Sequence, residues 1–532
     1  MAAPMKTPGV YIVEKSAFPN SVVEVATAVP AFIGYTERAD NKGKSLLNKP
    51  FKITSMAEFH NYFGYGSKPV FSVRKAEEGE ESDFTQRVGA GDDATIEEYV
   101  IEQKQGKYLL YTSMKLFFSN GGGPCYIVAV DTFGKEDQSI DGAKLSGGIE
   151  PLVKEQEPTM VVIPDVCGLK ERADAIAVQQ ATLMHCGDKM KNRVAVLDVY
   201  DGYKDRRDPD GDPVENFRNE LGTANLDFGM AYYPWVNTSI VQDNELDYRN
   251  FEADSVDLLK AIITNDLGLG DPASQTDKEK EMAAQVDQLN KVKLEDWVTG
   301  DGDEAEELSE APIKIRLLHS SLVENSYAFK VIMDESKNKL NLLPPAAAMA
   351  GIYTRVDNAI GVWKAPANVS VNAVVSPSVS ISHDEQQDLN VTPQGKSINA
   401  IRSFIGEGTL VWGARTLDGN SLDWRYIQVR RTMIMLEESI KLAAKAYVFD
   451  NNEANTWIAM RSMIRNFLTG IWKRGGLAGT SPDDAFAVMV GLGETMTPED
   501  ILEGILRITV LVALIRPAEF IEITFQQQMQ KS

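Results

Sequence analysis

Cysteine and histidine are scarce in this chain. Its 532 residues include three cysteines, Cys125, Cys167 and Cys186, which are too few and too far apart to form a disulfide framework. An odd number of widely spaced cysteines is typical of buried free thiols in a reducing compartment. The four histidines occur in no His-Glu-x-x-His pattern and beside no Cys-x-x-Cys pair, the spacings that hold zinc. The sequence therefore favours neither a disulfide-stabilised domain nor a zinc site.

Long hydrophobic runs are also missing. The longest, residues 505–515, contains Arg507 and is shorter than the ~20 residues that a membrane-spanning helix needs. The first eight residues contain two prolines and few hydrophobic side chains, unlike the apolar core of a secretion signal. We therefore expect synthesis as a cytoplasmic protein and no direct membrane insertion; that the cytoplasm is a bacterial one is implied only by the resemblance described below.

Catalytic and ligand-binding motifs are absent as well. There is no Gly-x-Ser-x-Gly elbow, and the glycine-rich residues 475–479 lack the Lys-Ser or Lys-Thr of a phosphate loop. His185 and Cys186 lie on a predicted helix, where adjacent side chains point ~100° apart, a poor geometry for a catalytic pair. Residues 208–212 have the carboxylate density of a calcium loop, but Gly211 precedes Asp212 where the pattern needs the glycine after it. We predict an acidic turn there, no cofactor or metal site, and no enzymatic activity.

Negative charge is abundant but confined to two segments. Residues 77–98 contain nine acidic side chains and one basic side chain, and residues 241–312 contain 20 acidic and six basic ones. These segments account for nearly all of the net charge of −23. The pattern predicts a nearly neutral framework with two acidic surface insertions. Binding to nucleic acid is disfavoured by this sign of charge.

Residues 106–400 alternate between short apolar runs and helical patterns. The runs at 125–130, 159–163 and 193–198 are continuous, which is typical of parallel strands covered on both faces. Helical patterns at 108–119 and 170–190 separate them. This rhythm predicts an α/β domain over residues 106–400, interrupted by the surface insertion at 241–312.

The flanking regions have different patterns. Residues 31–105 form an N-terminal segment that contains the insertion at 77–98. Residues 401–518 predict a separate α+β domain, with strands at 424–429, 485–490 and 506–514 and helices at 430–449 and 453–472. The expected fold is therefore an α/β and α+β multidomain protein.

Both ends of the chain have the pattern of isolated strands. Residues 1–30 and 519–532 contain alternating or β-branched runs that are bounded by prolines or by the end of the sequence. Free strands can pair with the sheet edge of another subunit, which converts a protein into a polymer. We expect these two arms to make inter-subunit contacts through Val10, Tyr11, Ile12, Val13, Val23, Val25, Phe520, Ile521, Ile523 and Phe525.

Seven short sequence motifs, called the family phrases below, occur in a fixed order along the chain. The chain resembles the tail sheath proteins of contractile bacteriophage tails and contractile injection systems over nearly its whole length, apart from the two insertions. The phrases that carry this resemblance are Val-Pro-Ala-Phe-Ile-Gly-Tyr at 29–35, Phe-Phe-Ser-Asn-Gly-Gly-Gly at 117–123, Ile-Pro-Asp at 163–165, Tyr-Tyr-Pro-Trp at 232–235, Gly-Val-Trp-Lys-Ala-Pro-Ala-Asn at 361–368, Val-Trp-Gly-Ala-Arg-Thr at 411–416 and Pro-Ala-Glu-Phe at 517–520.

The resemblance implies a structural function and a set of partners. Sheath subunits of this family stack as hexameric rings around an inner tube, exchange β-strands between subunits, and contract when a baseplate triggers them. It also implies a subtilisin-like α/β middle domain without peptidase chemistry. The implied partners are other copies of the chain, the inner tube protein, and baseplate and terminator or cap proteins, with a paralogous sheath subunit as a further candidate. The expected location is a phage tail or an injection particle, including a released extracellular one.

The helix predicted at 453–472 has a basic flank. By resemblance it faces the inner tube, where Arg461, Arg465 and Lys473 would contact an acidic surface. A solvated charged edge is the alternative. Trp363 and Trp412 stand in two of the family phrases and are expected to fill core space.

One other class of function remains open. A soluble α/β hydrolase-like protein would pair its terminal strands with its own sheets. The sequence does not distinguish a phage tail from an injection system, and it identifies neither the target cell nor the role of the acidic insertions.

Overall fold

The computed structural model describes residues 22–89, 94–134, 139–270, 273, 275–297 and 304–523. The chain divides into two compact units. Among the described residues, the C-terminal unit comprises 22–27, 360–365 and 428–523, and the large unit comprises those within 28–359 and 366–427. Residues 401–427, which the sequence assigned to the C-terminal domain, therefore lie in the large unit.

A nine-stranded sheet forms the centre of the large unit. The strand order is β14 (Val369–Ser370), β17 (Gly408–Trp412), β16 (Asn399–Phe404), β11 (Gly229–Tyr233), β10 (Val194–Asp198), β9 (Met160–Val162), β1 (Pro30–Thr36), β8 (Cys125–Thr132) and β4 (Phe51–Ile53). Neighbouring strands run parallel from β8 through β1, β9, β10 and β11 to β16, while β4, β17 and β14 are antiparallel to their neighbours. Every residue of the inner strands β1, β9, β10 and β11 is buried, so both faces of the sheet are covered there.

This sheet joins two regions that the sequence separated. β1 pairs with β8 on one side and β9 on the other, so residues 30–36 belong to the α/β domain rather than to a separate N-terminal segment. The hairpin of β16 and β17 belongs to the same sheet through β11. The physical reason is that the apolar run of β1 is buried along its whole length. Its buried main-chain N–H and C=O groups need hydrogen-bond partners, which a strand on each side provides.

Helices cover the sheet. The helices of this region are α1 (Met56–Phe63), α2 (Leu110–Ser119), α3 (Gly142–Gly147), α4 (Arg172–Met184), α5 (Pro213–Glu220), α10 (Ala346–Ala359) and α11 (His383–Asn390). α2 packs against α10, and these helices also contact β1, β9 and β10, while α3 and α4 pack together near β8 and β10. A π-helix at His185–Met190 continues α4.

The two acidic insertions fold together as one substructure of the large unit. The substructure extends beyond the predicted insertions at 77–98 and 241–312, and we call the described residues within 70–105 and 241–341 the insertion module. Phe71 and Tyr99 from the first segment share a core with Phe329 from the second, and Val73 N–H donates to Ser255 Oγ at 3.0 Å. The sequence treated the segments as separate because the residues in contact lie far apart along the chain, 182 positions in the case of Val73 and Ser255. The module contains β5 (Val70–Lys75), β6 (Phe84–Val88), β7 (Thr95–Gln105), α6 (Ala253–Asp266), α7 (Asp277–Asp287), α8 (Glu304–Asn325) and α9 (Tyr327–Asn341).

Two short sheets complete the large unit. A three-stranded antiparallel sheet lies where the module meets the central sheet, and a small hairpin follows β1. Their strands are β12 (Val236–Thr238), β13 (Leu342–Leu343) and β15 (Val374–Pro377) in the first, and β2 (Asp40–Asn41) and β3 (Lys44–Ser45) in the second.

The C-terminal unit consists of helices around a two-stranded sheet. The strand predicted at 424–429 does not form: Trp424 ends a turn, Tyr426 makes an isolated bridge with Arg415, and the first helix begins at Ile427, whose N–H donates to Ala414 O. Residues 519–523, predicted as part of a terminal strand, are not in a strand in this chain. The elements are α12 (Ile427–Ala444), α13 (Ala454–Lys473), α14 (Pro482–Ala485), β18 (Phe486–Met489), α15 (Pro498–Leu502) and β19 (Thr509–Val512).

Within the described residues, no helix is sufficiently long and apolar to span a bilayer.

Candidate assembly surface of the C-terminal unit

The sheet of the C-terminal unit has two open edges. β18 and β19 pair only with each other, from Phe486 opposite Val512 to Met489 opposite Thr509, and no third strand joins them among the described residues. Phe486 and Val488 face the core of the unit, whereas Leu511 is 55% exposed. Two-stranded sheets are marginally stable alone, and an open edge is a template for a further strand. The geometry can therefore accept a strand on either side.

Residues 22–27 lie along the C-terminal unit without forming a strand. Val25 N–H donates to the buried Ser439 Oγ at 3.1 Å, and Arg431 Nη2 donates to Thr27 O at 2.9 Å. Glu24 forms an ion pair with Arg474. Val25 also packs against the core of this unit, while Val23 is 77% exposed. This part of the N-terminal arm is thus bound to its own chain.

The C-terminal residues leave the sheet after β19. A bridge joins Leu477 and Leu514, and the chain then continues to residue 523 without a strand. Phe520, Ile521 and Ile523 are 77%, 79% and 70% exposed. Three large apolar side chains in water are costly unless another surface covers them. Val10, Tyr11, Ile12, Val13 and Phe525 lie outside the described residues.

The apolar stripe of α13 anchors this helix to the core. The helical spacing of the sequence predicts a stripe of Trp457, Ile464, Leu468 and Ile471. The last three are at most 1% exposed, whereas Trp457 is half-buried and its Nε1 donates to Asn452 Oδ1 at 2.7 Å. The opposite face presents small and neutral side chains together with Ile458, which is 62% exposed, and ends at the exposed Lys473. α13 itself contains no acidic residue.

The two arginines of α13 have partners within the chain. Arg461 Nη2 lies 2.6 Å from Glu494 Oε2 and donates to Val490 O at 2.5 Å. Arg465 Nη2 lies 3.0 Å from Asp483 Oδ1. Lys473 has no ion pair among the described residues. The predicted basic flank is therefore partly neutralised at Arg461 and Arg465, and its unpaired charge lies at the end of the helix.

Sequence reasoning missed the residues that anchor the N-terminal arm. Ser439 and Arg474 are not part of any motif. Arg430 and Arg431 follow directly on the predicted strand at 424–429, a position that fits a helix start as well as an inter-subunit contact. The structure places Arg431 in α12, where it donates a hydrogen bond to Thr27 O of its own chain.

The expectation that Trp412 fills core space was wrong, because this side chain is 40% exposed and packs on Phe404 with ring centres 4.6 Å apart. Trp363 is 9% exposed and lies in the core of the C-terminal unit.

The His185 and Cys186 pair lies in the interior of the large unit. Burial lowers the pKa of His185 to about 4 and raises the pKa of Cys186 to about 12, so both groups are neutral near pH 7. A thiol with a raised pKa is a poor nucleophile. Within the described residues, no group of three His, Cys, Asp or Glu side chains could hold a metal ion.

The acidic turn at 208–212 is balanced by basic side chains. Lys204 Nζ lies 2.6 Å from Asp210 Oδ2, and Arg206 Nη2 lies 2.7 Å from Asp212 Oδ2. Asp212 also caps α5 by accepting from Val214 N–H at 2.8 Å. These carboxylates serve ion pairs and a helix cap.

Comparison with known proteins finds a family model that matches the C-terminal part of the chain. Residues 420–528 match the phage tail sheath C-terminal domain family. Two curated relatives are the tail sheath proteins of Salmonella phage ViI, 26% identical over 158 residues, and of Enterobacteria phage T4, 26% identical over 135 residues. These segments are 29% and 25% of this chain, and they span 24% and 20% of the relatives' own lengths. The resemblance to tail sheath proteins is thereby confirmed.

Solved structures extend the likeness to the whole fold. The sheath of an extracellular contractile injection system, PVC, in its contracted state has a TM-score of 0.57 and 24% identity, and 99% of each chain is covered. The contracted helical sheath of the anti-feeding prophage has a TM-score of 0.58 and 24% identity, with 99% of this chain and 100% of that chain covered. A mixed α/β multidomain fold, as the sequence predicts, is confirmed.

Proposed function

We propose, from the tail sheath C-terminal domain that this chain carries at residues 420–528, that the whole protein is a structural, non-enzymatic sheath subunit. It would polymerise as stacked hexameric rings around an inner tube and contract to drive that tube through a target cell envelope. The observation that carries the proposal is the coincidence of the family match with a compact unit that has an open two-stranded sheet.

Strand exchange is the proposed link between subunits. The arms at 1–21 and 519–532 of one copy would pair with the open edges of β18 and β19 in other copies. An arm that binds a different surface on the next subunit makes a heterologous contact, and repeated heterologous contacts produce an open helix. The anchoring of Glu24, Val25 and Thr27 to their own unit fixes the point from which the N-terminal arm extends.

Contraction requires links that survive movement of the subunits. Main-chain hydrogen bonds in an exchanged strand can persist while the attached domains rotate as rigid bodies. A modest difference in free energy between two packings, repeated in every subunit, then provides the energy of the stroke. The proposed middle domain is subtilisin-like in topology and contributes no peptidase chemistry.

The proposed partners follow from the assembly. They are other copies of this chain, the inner tube through α13, and the baseplate and terminator or cap proteins at the two ends, with a paralogous sheath subunit as a further candidate. The particle is a phage tail or a contractile injection system made in the bacterial cytoplasm.

Deletion of residues 519–532 tests the proposed link. We expect the truncated protein to fold, with unchanged circular dichroism, and to form no long striated polymers by electron microscopy. Deletion of residues 529–532 alone is the control, because it retains Ile521, Ile523 and Phe525, and it should polymerise. Polymers of normal length from the longer deletion would refute the proposed role of this arm.

A further inference from the structure

A cleft in the large unit lies between the insertion module and the central sheet region. Its volume is about 730 Å³, within the range of about 300–1,000 Å³ that is typical of small-ligand sites. One wall comes from loops of the sheet region near Tyr65, Tyr108 and Tyr203, and the other from the module near Asp247 and Lys339. The assembly surface described above uses none of these residues.

Two tyrosines line the cleft as supported platforms. Tyr65 stacks on His60 with ring centres 4.5 Å apart and an angle of 21°, and His60 Nε2 is held 3.2 Å from Tyr111 Oη. Tyr203 packs on Trp235 with ring centres 5.3 Å apart. Tyr65 is 58% exposed and Tyr203 is 39% exposed. Each ring is therefore supported by a neighbouring ring, at 21° for Tyr65 and at 59° for Tyr203, and each remains partly exposed, as a ring that packs against the C–H groups of a sugar must be.

Most polar groups of the cleft are already used within the chain. Asn250 Nδ2 donates to Pro69 O at 2.9 Å, and Gln103 Nε2 donates to Gly106 O at 3.0 Å. Asp247 pairs with Arg249 at 2.6 Å, Glu245 pairs with Lys115 at 2.9 Å, and Lys339 pairs with Asp83 at 2.7 Å. These polar groups hold the walls of the cleft in place, so the groups that recognise a ligand must be other side chains of the cleft.

Two lysines supply the remaining charge. Among the described residues, neither Lys68 nor Lys107 has a carboxylate within ion-pair distance, and both are exposed where they line the cleft. Their backbones adjoin, because a Cβ atom at Gly106, whose φ is +81°, would lie only 2.8 Å from Lys68 O. The hydrogen bond from Lys104 is the main cause that lowers the pKa of Glu102, and the charge of Lys107 lowers that pKa further, so one carboxylate lies within electrostatic range of Lys107. Two exposed lysines without ion pairs, carried by adjoining backbone segments in a chain of charge −23, make this end of the cleft a candidate anion site.

We infer that this cleft binds an acidic linear saccharide, with successive sugar rings on Tyr65 and Tyr203 and a carboxylate of the saccharide between Lys68 and Lys107. Two separate, partly exposed tyrosine rings suit a ligand with several sugar rings better than one flat aromatic ligand, which needs a slot with rings on both sides. This binding site is independent of the proposed sheath function.

Isothermal titration calorimetry with tetragalacturonate tests the inference on the full-length protein. We expect a Kd below about 1 mM at low salt, and binding of the neutral maltotetraose that is at least about tenfold weaker. Y203A and the double variant K68A/K107A should each weaken binding of tetragalacturonate by about tenfold or more. The matched control is K154A/K170A, which removes two exposed lysines of the same unit outside the cleft and should bind like the unmodified protein.

Three results would overturn the inference. They are no binding of tetragalacturonate up to about 5 mM, equal affinity for maltotetraose, or equal weakening by K68A/K107A and K154A/K170A. Thermal unfolding of each variant distinguishes loss of the site from loss of the fold. Because sleeve formation is not required for binding, a negative result would leave the proposed sheath function intact.

Discussion

Arg465 of α13 pairs with Asp483 of α14, with 3.0 Å between Nη2 and Oδ1, and its guanidinium lies 5.7 Å from the ring centre of Phe486 in β18. The arginine thus ties the helix proposed to face the inner tube to the sheet proposed to receive the arms. The pair is on the surface, where such pairs contribute about 0–1 kcal/mol, so it can be exchanged without unfolding the unit.

A charge swap separates the two possible roles of this arginine. We expect R465E to weaken co-sedimentation with the inner tube more than self-assembly, because the proposed tube surface is acidic. The double variant R465E/D483R recreates the ion pair but not the positive charge on α13, and we expect it to remain weak in tube binding. Full recovery in the double variant would show that Arg465 acts only within its own chain.

Lys473 offers a cleaner test of the same surface, since it has no ion pair among the described residues. K473E should weaken tube binding without changing the stability of the C-terminal unit by more than about 0.5 kcal/mol. The measurement is co-sedimentation together with chemical denaturation, and unchanged co-sedimentation would contradict a tube contact at this end of α13.

Leu511 of β19 and Leu442 of α12 are both 55% exposed. A charge on the open sheet should interfere with an incoming strand, whereas the same charge on the helix should not. We therefore expect L511D to reduce the mean length of polymers seen by electron microscopy strongly and L442D to reduce it little. Equal effects of the two substitutions would argue against the sheet as the acceptor.

Asp198 predicts a specific pH dependence in the large unit. It lies at the end of β10, its Oδ1 accepts from Ala346 N–H at 2.7 Å, and burial raises its pKa to about 7. Between pH ~4 and ~7 the folded state holds a proton that the unfolded state has lost, so stability falls as pH rises. The slope is on the order of 1 kcal/mol per pH unit, and it vanishes above pH ~7.

The substitution D198N should remove the contribution of Asp198 to the pH dependence of stability, because an amide does not titrate. Its Oδ1 can still accept the hydrogen bond from Ala346 N–H. Denaturation curves of the large unit at pH 5 and pH 8 should then differ less than those of the unmodified protein. D188N, which changes an exposed carboxylate in the neighbouring π-helix, is the control. Asp165, whose pKa burial raises to about 6, contributes a similar slope to all three proteins. An unchanged pH dependence in D198N would contradict the prediction.

Phe329 tests whether the two acidic segments are one folded module. This side chain is fully buried in the shared core, so F329A should cost about 3–5 kcal/mol. Hydrogen exchange should increase together in β5, β7 and α6. Y327A, at a residue 76% exposed on the same helix, should change little. Faster exchange in only one of the two segments would show that they fold separately.

Local patterns in the sequence predicted much of the fold. Continuous apolar runs identified β8, β9 and β10, and the stripe of Ile464, Leu468 and Ile471 identified the buried face of α13, because burial leaves a periodic trace in the sequence. Long-range pairing leaves no such trace. The place of β1 in the central sheet and the union of the two acidic segments were therefore not predictable from periodicity.

The candidate site was predicted less completely. Alternation at residues 521–526 indicated a strand, but a strand exists only with a partner, and none is provided by the described residues of a single chain. The ion pairs of Arg461 and Arg465 join residues 18 to 33 positions apart, beyond any local pattern. Trp412 was misplaced because an aromatic residue in a strand fits an exposed face as well as a core.

The most direct test of the central claim is a cryo-electron microscopy structure of the assembled polymer. The account predicts that residues 10–13 and 520–525 of one copy run as strands beside β18 and β19 of neighbouring copies, with main-chain hydrogen bonds between chains. If both arms instead fold back and complete the sheet of their own chain, the proposed strand-exchanged sheath is contradicted.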